Sequence, residues 1–215
     1  MSEPGPTEWG GSGVHGVGPW EGPWPEDPRY DRELLRDGDT RNVVDAYRYW
    51  TRAAIVADID TRRHPFHIAI ENFGSDANIG GVVRTANAFA VDTVHIVGRR
   101  RWNRRGAMVT DRYQRLQHHD STADLLAFAA AADLTVVAVE NVPGSTRLEE
   151  TELPQRCLLV FGQEGPGITD AAASGAAKVV SIAQFGSTRS INASVAAGIA
   201  MHSWIRRWGD LGSAW

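Results

Sequence analysis

A chain of 215 residues, 42% of them hydrophobic, is long enough for one domain with a real core plus a short appendage. No apolar run reaches the ~18 residues of a membrane span, the start of the chain lacks the basic and apolar regions of a secretory signal, and the single Cys157 excludes an internal disulfide, so a cytoplasmic protein is expected. The net charge of −4 argues against an indiscriminate nucleic-acid binder, but it averages an acidic stretch, 12 acids against 6 Arg in residues 1–60, and a basic remainder with seven Arg from Arg99 to Arg115.

Residues 1–28 hold seven Gly and six Pro, with Trp9, Trp20 and Trp24 but no apolar periodicity, and are expected to form a disordered or loosely docked tail. The tail contains Gly11-Ser-Gly-Val-His-Gly16, a literal G-x-G-x-x-G. No strand precedes it and no helix follows, so it carries no dinucleotide site. Residues 29–64 read as a helical extension. Leu34, Leu35, Val43, Val44, Tyr47, Trp50, Ala54 and Ile55 recur at helical spacings, and Gly38-Asp39-Thr40 divides the run, with Asp39 or Thr40 as the next N-cap.

Pro65 marks the entry to a main domain, residues 65–215, in which strands and helices alternate. Phe66–Glu71 reads as a buried strand, Ile79–Phe89 as a helix capped by Asn78, and Thr93–Val97 as a second strand. Residues 99–118 form a basic, irregular stretch. Ser121 caps a helix over Ala123–Ala131, and Leu134–Val139 and Cys157–Phe161 are strands. A short helix follows Thr169, Lys178–Ile182 is the last strand, and Ile191–Trp208 is a long helix with Ser190 as N-cap. The alternation predicts an α/β fold with a mostly parallel sheet flanked by helices.

Three strand-to-helix junctions carry the chemistry. Asn78-Ile-Gly80-Gly-Val-Val-Arg84 puts two glycines where another segment can approach the helix, and places Arg84 about 1.7 turns from Asn78. Gly162-Gln-Glu164-Gly165-Pro-Gly167 follows an apolar strand, but its glycine order is not that of a dinucleotide site. A carboxylate in such a loop repels a pyrophosphate and favours a ligand with hydroxyls and positive charge. The third junction, Ser190-Ile-Asn192-Ala-Ser194, opens a helix whose Ala193, Ala196, Ala197 and Ala200 permit close packing. Of the remaining candidates, His118-His119-Asp120 has no partner cluster at metal-site spacing, His67 and His95 read as sheet histidines, and Cys157 as a small buried hydrophobe. The Arg99–Arg115 run, interleaved with Trp102 and Tyr113, has the chemistry of an RNA surface.

Together the three junctions resemble the motifs of the SpoU-type RNA 2′-O-ribose methyltransferases of the SPOUT superfamily, from about Phe66 to Trp204. The first motif, N-x-G-x-x-x-R, falls on Asn78, Gly80 and Arg84; the second, G-x-E-G-x-G, on Gly162, Glu164, Gly165 and Gly167; the third, S-L-N-x-S-x-A, on Ser190 to Ala196. The resemblance implies a C-terminal trefoil knot, a homodimer, no metal, and S-adenosylmethionine bound at Gly162, Glu164, Gly167, Ile182, Ile191 and Asn192. It implies methylation of a ribose 2′-hydroxyl in tRNA or rRNA. Arg84 would activate the hydroxyl, with Asn78, Glu164, Ser190 and Asn192 as its positioning partners. RNA would meet Arg84, Arg99, Arg100, Arg101, Arg104 and Arg105, with help from the 29–64 helices. Ile182-Ala183-Gln184 departs from the family's I-P-M, Ile191 replaces Leu, and Ala90 stands where Gly is common. The rival reading is a catalytically silent RNA-binding or ribosome-assembly protein with the same fold; the intact Asn78, Arg84, Glu164, Ser190 and Asn192 argue against it.

Overall fold

The computed structural model describes residues 16–213 except Asn72 and Arg99, and the chain divides into two units, Met1–Asp58 and Ile59–Trp215. In the first unit, helix α1 spans Arg32–Asp37. Asp31 caps it by accepting from the backbone N–H of Glu33 and Leu34, and Gly38 ends it with φ of 93°. No second helix starts at Asp39 or Thr40. Asp39 is fully buried, and a buried carboxylate must find partners. It accepts from the Arg41 guanidinium at 2.8 and 2.7 Å and from Tyr49 N–H at 2.9 Å. Helix α2 starts only at Arg52 and runs to Asp60.

The tail reading also changes. Residues 1–15, with Trp9 and most of the G-x-G-x-x-G match, lie outside the described residues. Residues 16–28 are not loose: Val17 pairs with Asp39, Trp20 N–H donates to Leu35 O at 2.8 Å, and the Trp20 ring meets Tyr49 edge-on at 5.3 Å. The large apolar ring of Trp20 supplies the burial that the glycines and prolines around it cannot.

The second unit holds seven strands: β1 His67–Glu71, β2 Thr93–Val97, β3 Arg115–His119, β4 Thr135–Val139, β5 Thr146–Arg147, β6 Cys157–Phe161 and β7 Lys178–Ser181. Its helices are α3 Asp76–Ala88, α4 Thr122–Ala131, α5 Asp170–Gly175 and α6 Ala193–Trp208. The strands form one sheet in the order β3-β2-β1-β6-β4-β7-β5, and every pairing is parallel. Successive strand residues point to opposite faces. Ile68, Ile70, Leu159 and Phe161 therefore join one core with Val82, Val83, Met201 and Trp204, and Ala69, Leu158 and Val160 join another with Leu125, Ala129 and Ala172. Burial on both faces explains why β6 reads as an unbroken apolar run. Trp204 anchors α6 by stacking on Phe66 with ring centroids 4.2 Å apart.

Two strands were not legible as strands. β5 is two residues long. β3, Arg-Leu-Gln-His-His, falls inside the stretch read as irregular, because polar side chains fill a parallel edge strand. His119 is buried there because it ends a chain of rings: His67 Nδ1 lies 3.0 Å from His95 Nε2, and His95 Nδ1 lies 2.8 Å from His119 Nε2, under Phe128. Two N-caps also move. Ser75, not Asn78, caps α3, and Asn192, not Ser190, caps α6, accepting from the N–H of Ser194 and Val195.

The strand order reverses between β1 and β6, since β2 and β3 lie on one side and the later strands on the other. The carboxyl ends of strands at such a reversal form a crevice where α/β proteins bind ligands.

Candidate active site

Glu164 sits on the loop that follows β6. Gln163 and Gly167 exchange backbone hydrogen bonds at 3.1 and 3.0 Å, so this loop closes on itself. Gly162 makes the closure possible: a Cβ there would lie 2.1 Å from the Gly167 carbonyl carbon. Gly165 and Gly167, with φ of 94° and 80°, supply the left-handed turns. Thr169, just beyond, is tied down by Glu71, a fully buried carboxylate at the end of β1 that accepts from Thr169 N–H at 3.0 Å, Thr169 Oγ1 at 2.8 Å and Thr122 Oγ1.

The loop delivers Glu164 to the first turn of α3. Glu164 Oε1 accepts from Asn78 Nδ2 at 2.6 Å and Oε2 accepts from Gly74 N–H at 2.8 Å. Asn78 is free for this contact because Ser75 does the capping. Asn78 Oδ1 accepts from Asn192 Nδ2 at 2.9 Å, and Asn192 Oδ1 accepts from Ser194 Oγ at 2.7 Å. A polar seam, Glu164–Asn78–Asn192–Ser194, thus joins all three sequence junctions. Each amide donates toward the carboxylate and accepts from the far side, so the links reinforce one another. Partial burial would raise the Glu164 carboxyl, but hydrogen bonds from Asn78 and from backbone N–H groups of Glu164, Gly74 and Ser75 outweigh it and hold the group below the usual glutamate range. The seam therefore ends in a negative charge.

Arg84 lies one turn along α3 from Gly80 and Gly81. A Cβ on Gly81 would stand 3.1 Å from Ser194 Oγ, and one on Gly80 would stand 2.4 Å from the Gly106 carbonyl carbon. The two glycines thus seat the start of α6 and the 3-10 turn Arg104–Ala107 against the helix. Helical side chains lean toward the N-terminus, which carries Arg84 back over this junction. Arg84 is exposed and, among the described residues, makes no hydrogen bond or ion pair. A guanidinium without a protein partner beside a seam is available to a ligand.

Next to the seam a small cleft, open to solvent, is lined by Val139, Glu140, Asn141, Ile182, Gln184, Ser190, Ile191 and Ala196. Glu140 accepts from Ile168 N–H at 3.2 Å and so ties the glycine loop to the end of β4, and Asn141 Nδ2 holds Arg189 O at 3.0 Å. Of the sequence-derived cofactor residues, Ile182 and Ile191 line this cleft directly. Gly162 and Gly167 shape the loop on its rim, and Glu164 and Asn192 belong to the seam. Ser190 lines the cleft but takes no part in the seam. The walls fit a flat apolar ring, and the buried Gln184 Oε1 has no hydrogen-bond partner, which leaves an acceptor for a ligand donor. These features fit a nucleoside-type cofactor such as S-adenosylmethionine.

Sequence reasoning missed Glu71, Gly74, Ser75 and Glu140. All four stand at strand ends or just before helices, and their position there was the available signal; Gln184 was visible as a departure from the family's I-P-M.

The basic run is less free than its composition implies. Arg100 pairs with Asp120 at 2.7 Å, Arg104 with Asp111 at 3.1 Å, and Arg115 with Asp60 at 2.9 Å. Arg105 is exposed with no ion pair among the described residues, and Arg99 lies outside them. Burial pushes the Cys157 thiol up to about 12, so it is inert. His119 faces His95, and His118 Nε2 lies 3.0 Å from Gly98 O. Among the described residues no His, Cys, Asp or Glu group is placed to hold a metal, and no helix is long and apolar enough to cross a membrane.

Comparison with known proteins agrees with this geometry. A sequence model of the SpoU rRNA Methylase family matches residues 65–202. The tRNA (guanosine(18)-2′-O)-methyltransferase of Escherichia coli K12 is 25% identical over 156 residues, 71% of this chain and 68% of that protein. Two solved structures share the fold. The TrmH/SpoU tRNA modifying enzyme of A. aeolicus gives a TM-score of 0.67 at 21% identity, over 75% of this chain and 84% of that one. The SpoU methyltransferase AviRb of Streptomyces viridochromogenes, in complex with AdoMet, gives 0.63 at 21% identity, over 70% and 60%. This chain belongs to the SpoU rRNA Methylase family.

Proposed function

We propose, from that membership and the joined seam, that the protein methylates a ribose 2′-hydroxyl of tRNA or rRNA with S-adenosylmethionine. The observation that carries this reading is the seam from Glu164 to Ser194, which gathers three distant segments beside an unpaired Arg84. When bound, S-adenosylmethionine supplies an electrophilic methyl group on a sulfonium. Ile182, Ile191 and Ala196 would hold its base, and the Gly162–Gly167 loop would border it. The Glu164 carboxylate, kept ionised by its donors, favours a cationic ligand and holds Asn78 in place. Asn78 and Asn192 fix the rim of the site. Arg84 holds the ribose and its phosphate and stabilises the oxygen as its proton leaves. A guanidinium is already protonated at neutral pH and has no lone pair to take that proton, so its part is electrostatic, with the neighbouring RNA phosphate and then water as the acceptor.

The insertion of β6 between β1 and β4, and of β7 between β4 and β5, supports a trefoil knot. Val195 and Ile199, 52% and 39% exposed on one face of α6, support a homodimer through this helix, which sedimentation would reveal. Arg84, Arg105 and the partly paired Arg100, Arg101 and Arg104 make the RNA surface, with Arg99. Residues 65–215 form the catalytic domain, acting in the cytoplasm where these RNAs reside.

The test combines binding and transfer. S-adenosylmethionine at millimolar concentration raises the melting temperature, NAD does not, and methyl groups appear on ribose of tRNA or rRNA. Arg84→Ala lowers transfer by about 100-fold or more and leaves the cofactor Kd within a few-fold. RNA binding without any methyl incorporation would restore the silent-binder reading.

A further inference from the structure

We infer that the side chain of Gln184 reads the amino edge of the cofactor's purine and makes the cleft selective for adenine. This rests on the cofactor reading above and goes further, to one residue and one ligand atom. Every other polar side chain with a buried place in the cleft is occupied. Glu140 accepts from Asn141 N–H at 2.9 Å and from Ile168 N–H at 3.2 Å, and Asn141 donates to Arg189 O at 3.0 Å. Ser190 is exposed to water. Gln184 alone among these lining groups has a buried polar atom, Oε1, with no hydrogen-bond partner. Buried acceptors are seldom left so, and one carried by a side chain that lines a cleft marks where a ligand donor belongs.

The walls decide which part of the ligand that is. Val139, Ile182, Ile191 and Ala196 surround Gln184 in the cleft. They suit the flat faces of a base and are a poor lodging for an ammonium or a carboxylate. A glutamine amide presents an acceptor and a donor side by side, and adenine presents its 6-amino donor beside a ring-nitrogen acceptor, so the two match in a bidentate pair. The ligand's charged amino-acid end, by the same argument, lies away from Gln184 and toward Glu164 and the solvent.

The experiment compares two ligands against two proteins by calorimetry: S-adenosylhomocysteine and its analogue with hydrogen in place of the 6-amino group, each with the full chain and with Gln184→Met. The full chain binds the adenine compound about tenfold more tightly than the analogue. Gln184→Met loses that preference by weakening the adenine compound more than the analogue, which has only the ring-nitrogen contact to lose. Its melting temperature without ligand is equal to or above that of the parent, because a partnerless buried acceptor has been removed. A variant that keeps the tenfold preference overturns the assignment to Gln184 while leaving the cofactor reading intact. A parent chain that binds both ligands equally overturns it as well. A parent chain that binds neither overturns both readings. A variant whose ligand-free melting temperature falls while its preference stays makes Gln184 structural, against the proposal.

Discussion

Two polar chains in the second unit use the same device and serve opposite ends. The seam Glu164–Asn78–Asn192–Ser194 and the ring chain His67–His95–His119 each link three segments that lie far apart in sequence. The histidines are closed. His67 Nε2 lies 3.8 Å from Asp92 Oδ1, so a proton on that nitrogen faces a carboxylate. His67 Nδ1 and His95 Nε2 lie 3.0 Å apart, and His95 Nδ1 and His119 Nε2 2.8 Å apart, one nitrogen of each pair donating to the other. Every facing nitrogen is used, His95 is fully buried, and Phe128 lies over the rings with its centroid 4.7 Å from that of His95. The seam is open. It is exposed, it ends in a charge, and its amides keep a donor hydrogen in hand. The difference lies in leftover hydrogen-bonding capacity: the closed chain fastens an edge strand to the sheet, and the open one has something to offer a ligand.

The largest effect should come from cutting the open chain at its charged end. Glu164→Ala removes the acceptor that holds Asn78 and the backbone of Gly74. Methyl transfer to RNA should fall about 100-fold or more, as when a preorganised electrostatic group is lost from an active site. Stability should change by less than about 1 kcal/mol, because the group is exposed. Single-turnover transfer assays and denaturant melts together check it. A large loss of stability with normal transfer would reverse the roles assigned to the two chains.

Acid tests the closed chain. Burial first, then the neighbouring His67 and His119, hold His95 down at about 3, against 6.5 for an ordinary histidine. Folded, the ring stays neutral as pH falls from 6.5 toward 3; unfolded, it takes a proton near 6.5. The unfolded state therefore binds more protons in that window, and stability falls as pH falls. One such ring costs up to about 1.4 kcal/mol per pH unit, or about 2 kcal/mol at pH 5. Burial lowers His67 and His119 as well, so they act in the same direction. Glu164 behaves separately: its lowered carboxyl contributes above 4.5 and is lost only below that value. Urea melts at pH 7.5, 6 and 5 should show the histidine slope, and His95→Phe should flatten it.

These contrasts also explain what the sequence made legible. The strands β1, β2, β4 and β6 and the helices behind them were readable because burial on both faces makes them rich in Val, Ile, Leu and Ala. β3 was not, because its one buried residue, His119, is satisfied by His95 on the neighbouring strand, a contact between strands that no pattern within one strand shows. Asn78, Glu164 and Asn192 stood out as polar residues at junctions, but their bonds to one another span 86 and 114 positions, and no local pattern encodes such contacts. The misplaced caps have a common cause: Ser75 and Asn192 each had a plausible rival three or two positions away, and only the path of the backbone chooses between them.

The smallest effect belongs to the last link of the seam. Ser194→Ala removes the 2.7 Å bond from Oγ to Asn192 Oδ1, yet that oxygen still accepts from the N–H of Ser194 and Val195. The α6 cap survives, the alanine Cβ still meets Gly81, and water replaces the hydroxyl at an exposed site. Stability should drop by about 0.5 kcal/mol or less, against about 1 kcal/mol for Asn192→Ala, which deletes the cap itself. Transfer should fall only a few-fold, since Asn192 keeps its bond to Asn78. If Ser194→Ala silenced transfer as fully as Glu164→Ala, the seam would act as one unit along its whole length, and orientation of Asn192 by that hydroxyl would count for as much as the charge at the other end.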